Sequence, residues 1–172
     1  MAALTAVGAH LRLPLPVVPV TLQPTVVCLS GLWLGARGGA LSQIVYLVAG
    51  LIGFPIFAKG GGIHYVLEPT FGYLLGFVPA ALTAGLLSPG EHRRAPFWRL
   101  VVAAAIGIGV IYAFGITGLL LNLRYITGTE LQWPQIAKLG LAPLPKDLML
   151  CVIAAMLVER LRRLGADRHR PH

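Results

Sequence analysis

Charge is the scarcest commodity in this chain. Of 172 residues only 14 are Lys or Arg and 6 are Asp or Glu, 12% in all, about half the charged share of an ordinary soluble domain. With 56% hydrophobic residues and a mean hydropathy of +0.78, there is too little polar surface to cover a water-soluble body, which excludes a soluble enzyme and a disordered tail. Cysteine is almost absent: Cys28 and Cys151 have no C-x-x-C spacing and sit in apolar segments, so a disulfide scaffold is excluded and both read as small hydrophobes. The sequence also lacks H-E-x-x-H, G-x-S-x-G, a P-loop and any Cys/His ligand spacing, and its histidines (His10, His64, His92, His169, His172) are scattered. An ATPase motor, a recognisable hydrolase and a metal centre therefore have no sequence support. No apolar run carries two acidic residues at mid-depth, which argues against an intramembrane aspartyl protease or a proton-coupled carrier.

What the chain has instead is long uncharged runs. Residues 38–58, 69–90 and 100–121 contain no Asp, Glu, Lys or Arg, and each is long enough for the roughly 20 residues that a helix needs to cross a bilayer. Residues 13–36 are also uncharged, but Pro14, Pro16, Pro19 and Pro24 forbid one continuous helix. They read as a structured loop over 13–19 followed by a helix. The expected architecture is an all-α, polytopic membrane protein forming a single integral domain over 1–172. Its six transmembrane helices fall roughly at 1–12, 21–35, 38–57, 69–88, 97–122 and 146–164, joined by structured extracellular loops. No basic residue precedes the apolar N-terminal stretch, so a cleaved signal peptide is not expected.

In a six-helix serpentine, Arg37, Arg93, Arg94, Arg99, Arg160, Arg162, Arg163, Arg168 and Arg170 fall on one side, and Arg12, Lys59, Arg124, Lys138 and Lys146 on the other. The excess of basic residues on the first side places both termini in the cytoplasm of a multi-pass plasma-membrane protein. The net charge of +8 then reads as a topology signal and an attraction to anionic lipid, with no need for a nucleic-acid partner.

The outer connections carry the unusual chemistry: the Pro-rich stretch 13–23, the loop from Phe57 to Pro69 with Gly60-Gly61-Gly62, and 122–147 ending in Leu144-Pro145-Lys146-Asp147. Long ordered loops at one end of a bundle are usually functional. Asp147 opens the last apolar run, either as a helix N-cap or as an acceptor for a ligand's N–H groups. Thr70 is by the same logic a cap or a presented hydroxyl. Glu68 faces water or pairs with Lys59. The triple glycine can bring backbone N–H groups close to a ligand or serve as a plain turn. Gln23, Gln43, Tyr46, Tyr73, Tyr112 and Asn122 lie on or beside the apolar runs, where polar groups bond to other helices or line a cavity. The pairs Ala2/Ala6, Gly31/Gly35, Gly35/Gly39 and Gly72/Gly76 mark possible close helix approaches.

Taken together, Leu13-Pro14-Leu15-Pro16-Val17-Val18-Pro19-Val20-Thr21-Leu22-Gln23, then 32–42 (LWLGARGGALS) and 46–57 (YLVAGLIGFPIF), closely resemble the BioY family, the biotin-capturing substrate (S) components of energy-coupling factor transporters. Pro69-Thr70-Phe71-Gly72-Tyr73-Leu74-Leu75-Gly76-Phe77 is similar to that family's P-T-G-G-Y-L-x-G-F, and Leu144-Pro145-Lys146-Asp147 to its L-P-G-D. The resemblance runs from about residue 8 to about 160. It implies a non-enzymatic membrane protein, without a cofactor, that binds biotin from outside and delivers it by toppling within a complex of a transmembrane coupling protein and two ATPase subunits. Asp147 would then accept the ureido N–H groups, Thr70 and Tyr73 would lie near the ligand, Gly61 and Gly62 would belong to a covering loop, and Ala2 and Ala6 would face the coupling protein. The first loop and Gln23 would help wall the site.

Two positions depart from the pattern. The family's lysine three residues after the acidic residue is Leu150 here, and its preceding glycine is Lys146, so Lys146 or Lys59 is expected to supply the positive charge. Phe71 replaces a glycine and is expected to narrow the space above its helix. Capture of another small vitamin or metabolite by the same fold is the alternative function. A lipid-active enzyme using Asp147 or His64 as a base, or a purely structural subunit, are the readings from other classes.

Overall fold

The computed structural model describes residues 1–13, 18–88, 96–128 and 132–168, with side chains through residue 164. Pro14 and Pro16 of the first loop, the basic turn residues Arg93 and Arg94, and Arg170 lie outside the described residues. The elements are α1 (Ala2–His10), β1 (Arg12–Leu13), β2 (Val20–Thr21), α2 (Gln23–Ile52), a 3-10 turn (Ile63–Leu67), α3 (Phe71–Leu87), α4 (Phe97–Tyr125), α5 (Trp133–Leu141) and α6 (Leu144–Arg168). β1 and β2 pair antiparallel, Arg12 with Thr21 and Leu13 with Val20, so a short ladder joins the two ends of the stretch 13–19 expected as a structured loop.

Three stretches among the described residues are long and apolar enough to cross a membrane by length and composition: Gln23–Ile52, Phe97–Tyr125 and Trp133–Leu164; Phe71–Leu87 is a shorter apolar helix. The first of these is not one straight rod. Gly35 has φ 74° and ψ 177°, a left-handed conformation that costs any residue with a Cβ, and the chain doubles back there. A Cβ on Gly39 would stand 2.7 Å from the Cα of Gly31, whereas a continuous helix would hold residues eight apart about 12 Å from each other. Gln43 Nε2 donates to Ser30 Oγ at 3.1 Å, and Gln23 Nε2 to Tyr46 Oη at 2.7 Å, the pairing of an antiparallel hairpin. α2 is thus two helices, 23–34 and 36–52. Gly35 makes the reversal with its own Cβ position open, and its backbone also sits in the expected close-packed interface, since a Cβ on Gly85 of α3 would stand 2.6 Å from the Gly35 carbonyl carbon. The second arm ends at Ile52, because Gly53 turns at φ 125° and its amide bonds back to Gly50.

Gln43 is wholly buried and ties three segments together: its Oε1 accepts from Thr5 of α1 and its Nε2 donates to Ser30 and Ser42. Small residues let the remaining helices meet at backbone distance. A Cβ on Gly31 would fall 2.2 Å from Ala81 O of α3, and one on Gly72 would fall 2.8 Å from Gly118 Cα of α4. Ala2 and Ala6 are half-buried against the chain's own core. At the far end of α6, Arg162 donates to Leu32 O and Ser88 Oγ, joining α6 to the first arm of α2 and to the C-terminal end of α3. The connection 122–147, expected as a loop, contains α5, whose start is fixed by reciprocal bonds between Gln132 and Gln135. Asn122 Nδ2 donates to Leu67 O at 2.6 Å, holding the 3-10 turn over α4.

Candidate functional site

Where the 3-10 turn, the N-terminal ends of α2, α3 and α6, and the middle of α4 converge, they leave a cavity. It holds about 450 Å³ of atom-free space, part of it open to the outside. Val18, Pro19, Pro24, Leu74 and Phe77 give it apolar walls; Gln23, Tyr65, Thr70, Tyr73, Tyr112 and Asp147 supply the polar groups.

Among the described residues Asp147 is its only charged lining residue, and it is 1% exposed. A carboxylate at such a depth is costly unless partnered, and two groups meet it. Tyr112 Oη donates to Oδ2 at 2.6 Å, and Lys146 Nζ stands 2.6 Å from Oδ1 as an ion pair. Each carboxylate oxygen thus has one partner, and each has a further lone pair with which to accept. The N-cap reading of Asp147 is not met: α6 begins at Leu144, and the Asp147 amide already bonds to Pro143 O. Lys146 also donates to Thr21 O of β2 and is about one third exposed. One ammonium therefore joins the first loop to the start of α6.

Thr70 precedes α3 without using its hydroxyl as a cap. That hydroxyl and the Tyr65 hydroxyl are buried, border the cavity and face each other. Burial pushes the Tyr65 phenol above its usual value, which keeps it a proton donor. Tyr73 contributes its ring, edge-on to Tyr112 with centroids 5.7 Å apart, while its hydroxyl donates to Gly140 O at 2.8 Å and fastens α5 over α3. Gln23 donates to Tyr46, which donates to Ile56 O. The head of α2 and the loop after it are thereby locked together.

The other expected site residues lie around this cavity rather than in it. Gly61 presses on Phe54 O, where a Cβ would stand at 2.0 Å, and the Gly62 amide donates to Gly50 O at 2.7 Å. Both glycines seat the loop on the end of α2. Lys59 pairs with Glu68 at 2.9 Å, and His64 is exposed. Phe71 was expected to narrow the space above α3; it packs partly buried against the core and does not line the cavity. Tyr65 was not anticipated as a site residue, and Tyr112 only as a polar residue in an apolar run. Tyr112 had a usable signal, since a tyrosine deep in an uncharged run requires a partner. Tyr65 had none, because only the fold of the loop turns it inward.

A family model described as the BioY family matches residues 1–167 of the chain. The chain is 42% identical over 165 residues to a probable biotin transporter BioY of Lysinibacillus sphaericus, covering 95% of this chain and 83% of that one. It is 37% identical over 168 residues to a biotin transporter BioY of Thermotoga maritima, covering 96% and 94%. Among solved structures, a 2.1 Å crystal structure of the S-component for biotin from an ECF-type ABC transporter superposes with a TM-score of 0.81 at 20% identity, over 94% of this chain and 86% of that one. That likeness establishes a shared fold.

Proposed function

Because the chain belongs to the BioY family, we propose that it captures biotin and serves its uptake as the substrate-binding component of an energy-coupling factor transporter. It is a multi-pass membrane protein of a transporter family, not of an enzyme family. In this reading it forms one integral domain that crosses the membrane six times, counting α1 and each arm of α2. The cavity opens outward, and both termini lie in the cytoplasm, on the side with more arginine. A coupling membrane protein and two ATPase subunits supply the energy.

The observation that carries the reading is the cavity itself: apolar walls around one buried carboxylate held by Tyr112 and Lys146. The biotin ureido ring offers two N–H donors and a carbonyl acceptor, and its thioether ring and aliphatic chain need apolar surroundings. Asp147 accepts the N–H groups, each such bond to a charged group contributing about 1.5–3 kcal/mol. Thr70, Tyr73 and Gln23 wall the ring. Lys146, at the mouth, meets the acid tail in the role that Leu150 cannot fill, and the loop with Lys59, Gly61 and Gly62 covers the site. The descriptions of the relatives favour biotin over another vitamin.

Equilibrium binding of biotin to the purified protein in detergent, beside Asp147→Asn, tests this. Binding that weakens at least tenfold, about 1.4 kcal/mol, is expected in the variant. Binding that survives the change removes Asp147 from the contact, and absence of binding by the unmodified protein overturns the biotin reading.

A further inference from the structure

The two cysteines of the chain, Cys28 and Cys151, are free thiols, 0% and 1% exposed, in the same packed core. Far apart in sequence, they are brought together by the fold: their thiols share a hydrogen bond where the first arm of α2 meets α6. The Cys28 thiol also donates to Ala104 O at 3.5 Å, and a Cβ on Gly107 would stand 3.1 Å from its sulfur, so α4 backs the pair. Cys28 follows Pro24 by four residues and Cys151 follows Asp147 by four, a spacing that keeps each on the same helix face one turn further along. Pro24 and Asp147 both line the cavity. The thiols therefore lie one turn beneath it, between two of the helices that bound it.

We propose that Cys28 and Cys151 are an oxidation site: hydrogen peroxide admitted through the cavity joins them in a disulfide that ties the first arm of α2 to α6 and weakens capture. The effect on capture rests on the biotin reading above. One sulfur attacks a peroxide oxygen, the O–O bond breaks, and a sulfenic acid forms with release of water. The other sulfur then attacks the sulfenic sulfur, the S–O bond breaks, and a second water leaves. Together the thiols give up two electrons and two protons, and the peroxide takes both to become two waters. Buried thiols are ordinarily inert, and these are closed to a large charged oxidant such as glutathione disulfide. Hydrogen peroxide is small and uncharged, and the cavity one turn away is partly open to the outside. With that opening facing outward, the pair lies toward the side of the membrane where disulfides persist. A disulfide holds its sulfurs about 2.0 Å apart, closer than two hydrogen-bonded thiols. Closing it draws α6 and α2 together directly below Asp147 and displaces the carboxylate from Tyr112, which holds it at 2.6 Å.

The test treats the purified protein in detergent with hydrogen peroxide, with and without saturating biotin, beside Cys28→Ala and Cys151→Ala. The intact mass and the dissociation constant of biotin are read before and after. The unmodified protein is expected to lose the mass of two hydrogens, to bind biotin roughly tenfold more weakly and to recover on reduction with dithiothreitol. Biotin in the cavity should slow the reaction, and neither variant should form the disulfide or lose affinity on treatment. Thiols that stay free, or that gain oxygen without joining, overturn the proposal. So does a disulfide that leaves affinity unchanged, or one that forms as fast with biotin bound, since the oxidant then does not come through the cavity. A reduced protein that binds no biotin overturns the biotin reading and the effect on capture, while the mass still decides on the disulfide.

Discussion

The carboxylate of Asp147 and the hydroxyl of Tyr112 are 35 residues apart in the chain and 2.6 Å apart in the fold. The bond links α6 to the interior of α4 and gives a buried anion a donor. The two oxygens are held separately: Oδ2 by the Tyr112 hydroxyl, Oδ1 by the Lys146 ammonium.

Removing that support should be felt in both stability and binding. Tyr112→Phe leaves Asp147 buried with only Lys146 beside it. The expected outcome is a loss of about 1–3 kcal/mol of stability, read as a lower melting temperature in detergent, together with weaker biotin binding. A variant that matched the unmodified protein in both would show that the bond does not hold the carboxylate.

The two lysines near the outer loops should separate cleanly. Lys146→Ala removes both the ion pair with Asp147 and the tie to Thr21 O, and biotin affinity should fall at least tenfold. Lys59→Ala breaks only a pair with Glu68 that is about one third exposed on both sides, a type that contributes under about 1 kcal/mol, and affinity should change less than threefold. Equal losses, or none with either variant, would contradict this assignment of the cation.

Three glycine-to-alanine changes distinguish reversal, contact and plain helix. Gly31→Ala puts a Cβ 2.2 Å from Ala81 O and should destabilise by about 1–3 kcal/mol as the helices separate. Gly35→Ala meets no atom but must hold φ 74°, a strain of about 1–2 kcal/mol. Gly109→Ala has open space inside α4 and should leave the melting temperature unchanged or raise it, since alanine favours helix by about 0.5–1 kcal/mol. Thermal unfolding of the three side by side checks the order.

The apolar runs were legible because charge is so sparse that each gap between charges is a helix: the uncharged stretches 69–90 and 100–121 contain most of α3 and α4. The place where the 13–58 region folds back was also legible, since glycines flank Arg37 there. What composition hides is the direction in which a polar residue points. Asp147 and Thr70 both read as caps or as presented groups, and only the early start of α6 and the absence of a cap bond from the Thr70 hydroxyl decide between them. α5 escaped because its amphipathic nine residues include Pro134 and carry Lys138, a pattern that resembles a loop when no tertiary partner is in view. Gly61 and Gly62 were expected beside a ligand; their tight seats against Phe54 and Gly50 show that a glycine needed for close approach does not announce what it approaches.

The ammonium of Lys146 touches the first loop through Thr21 O and the buried anion through Asp147 at the same time. A single cation thus belongs to the rim and to the floor of the same cavity. Any guest that draws the cation toward itself loosens the rim, and any strain on the rim alters how well the floor is neutralised. By linkage the two are one equilibrium: the occupancy of the cavity and the posture of the first loop rise and fall together, without a separate moving part to connect them.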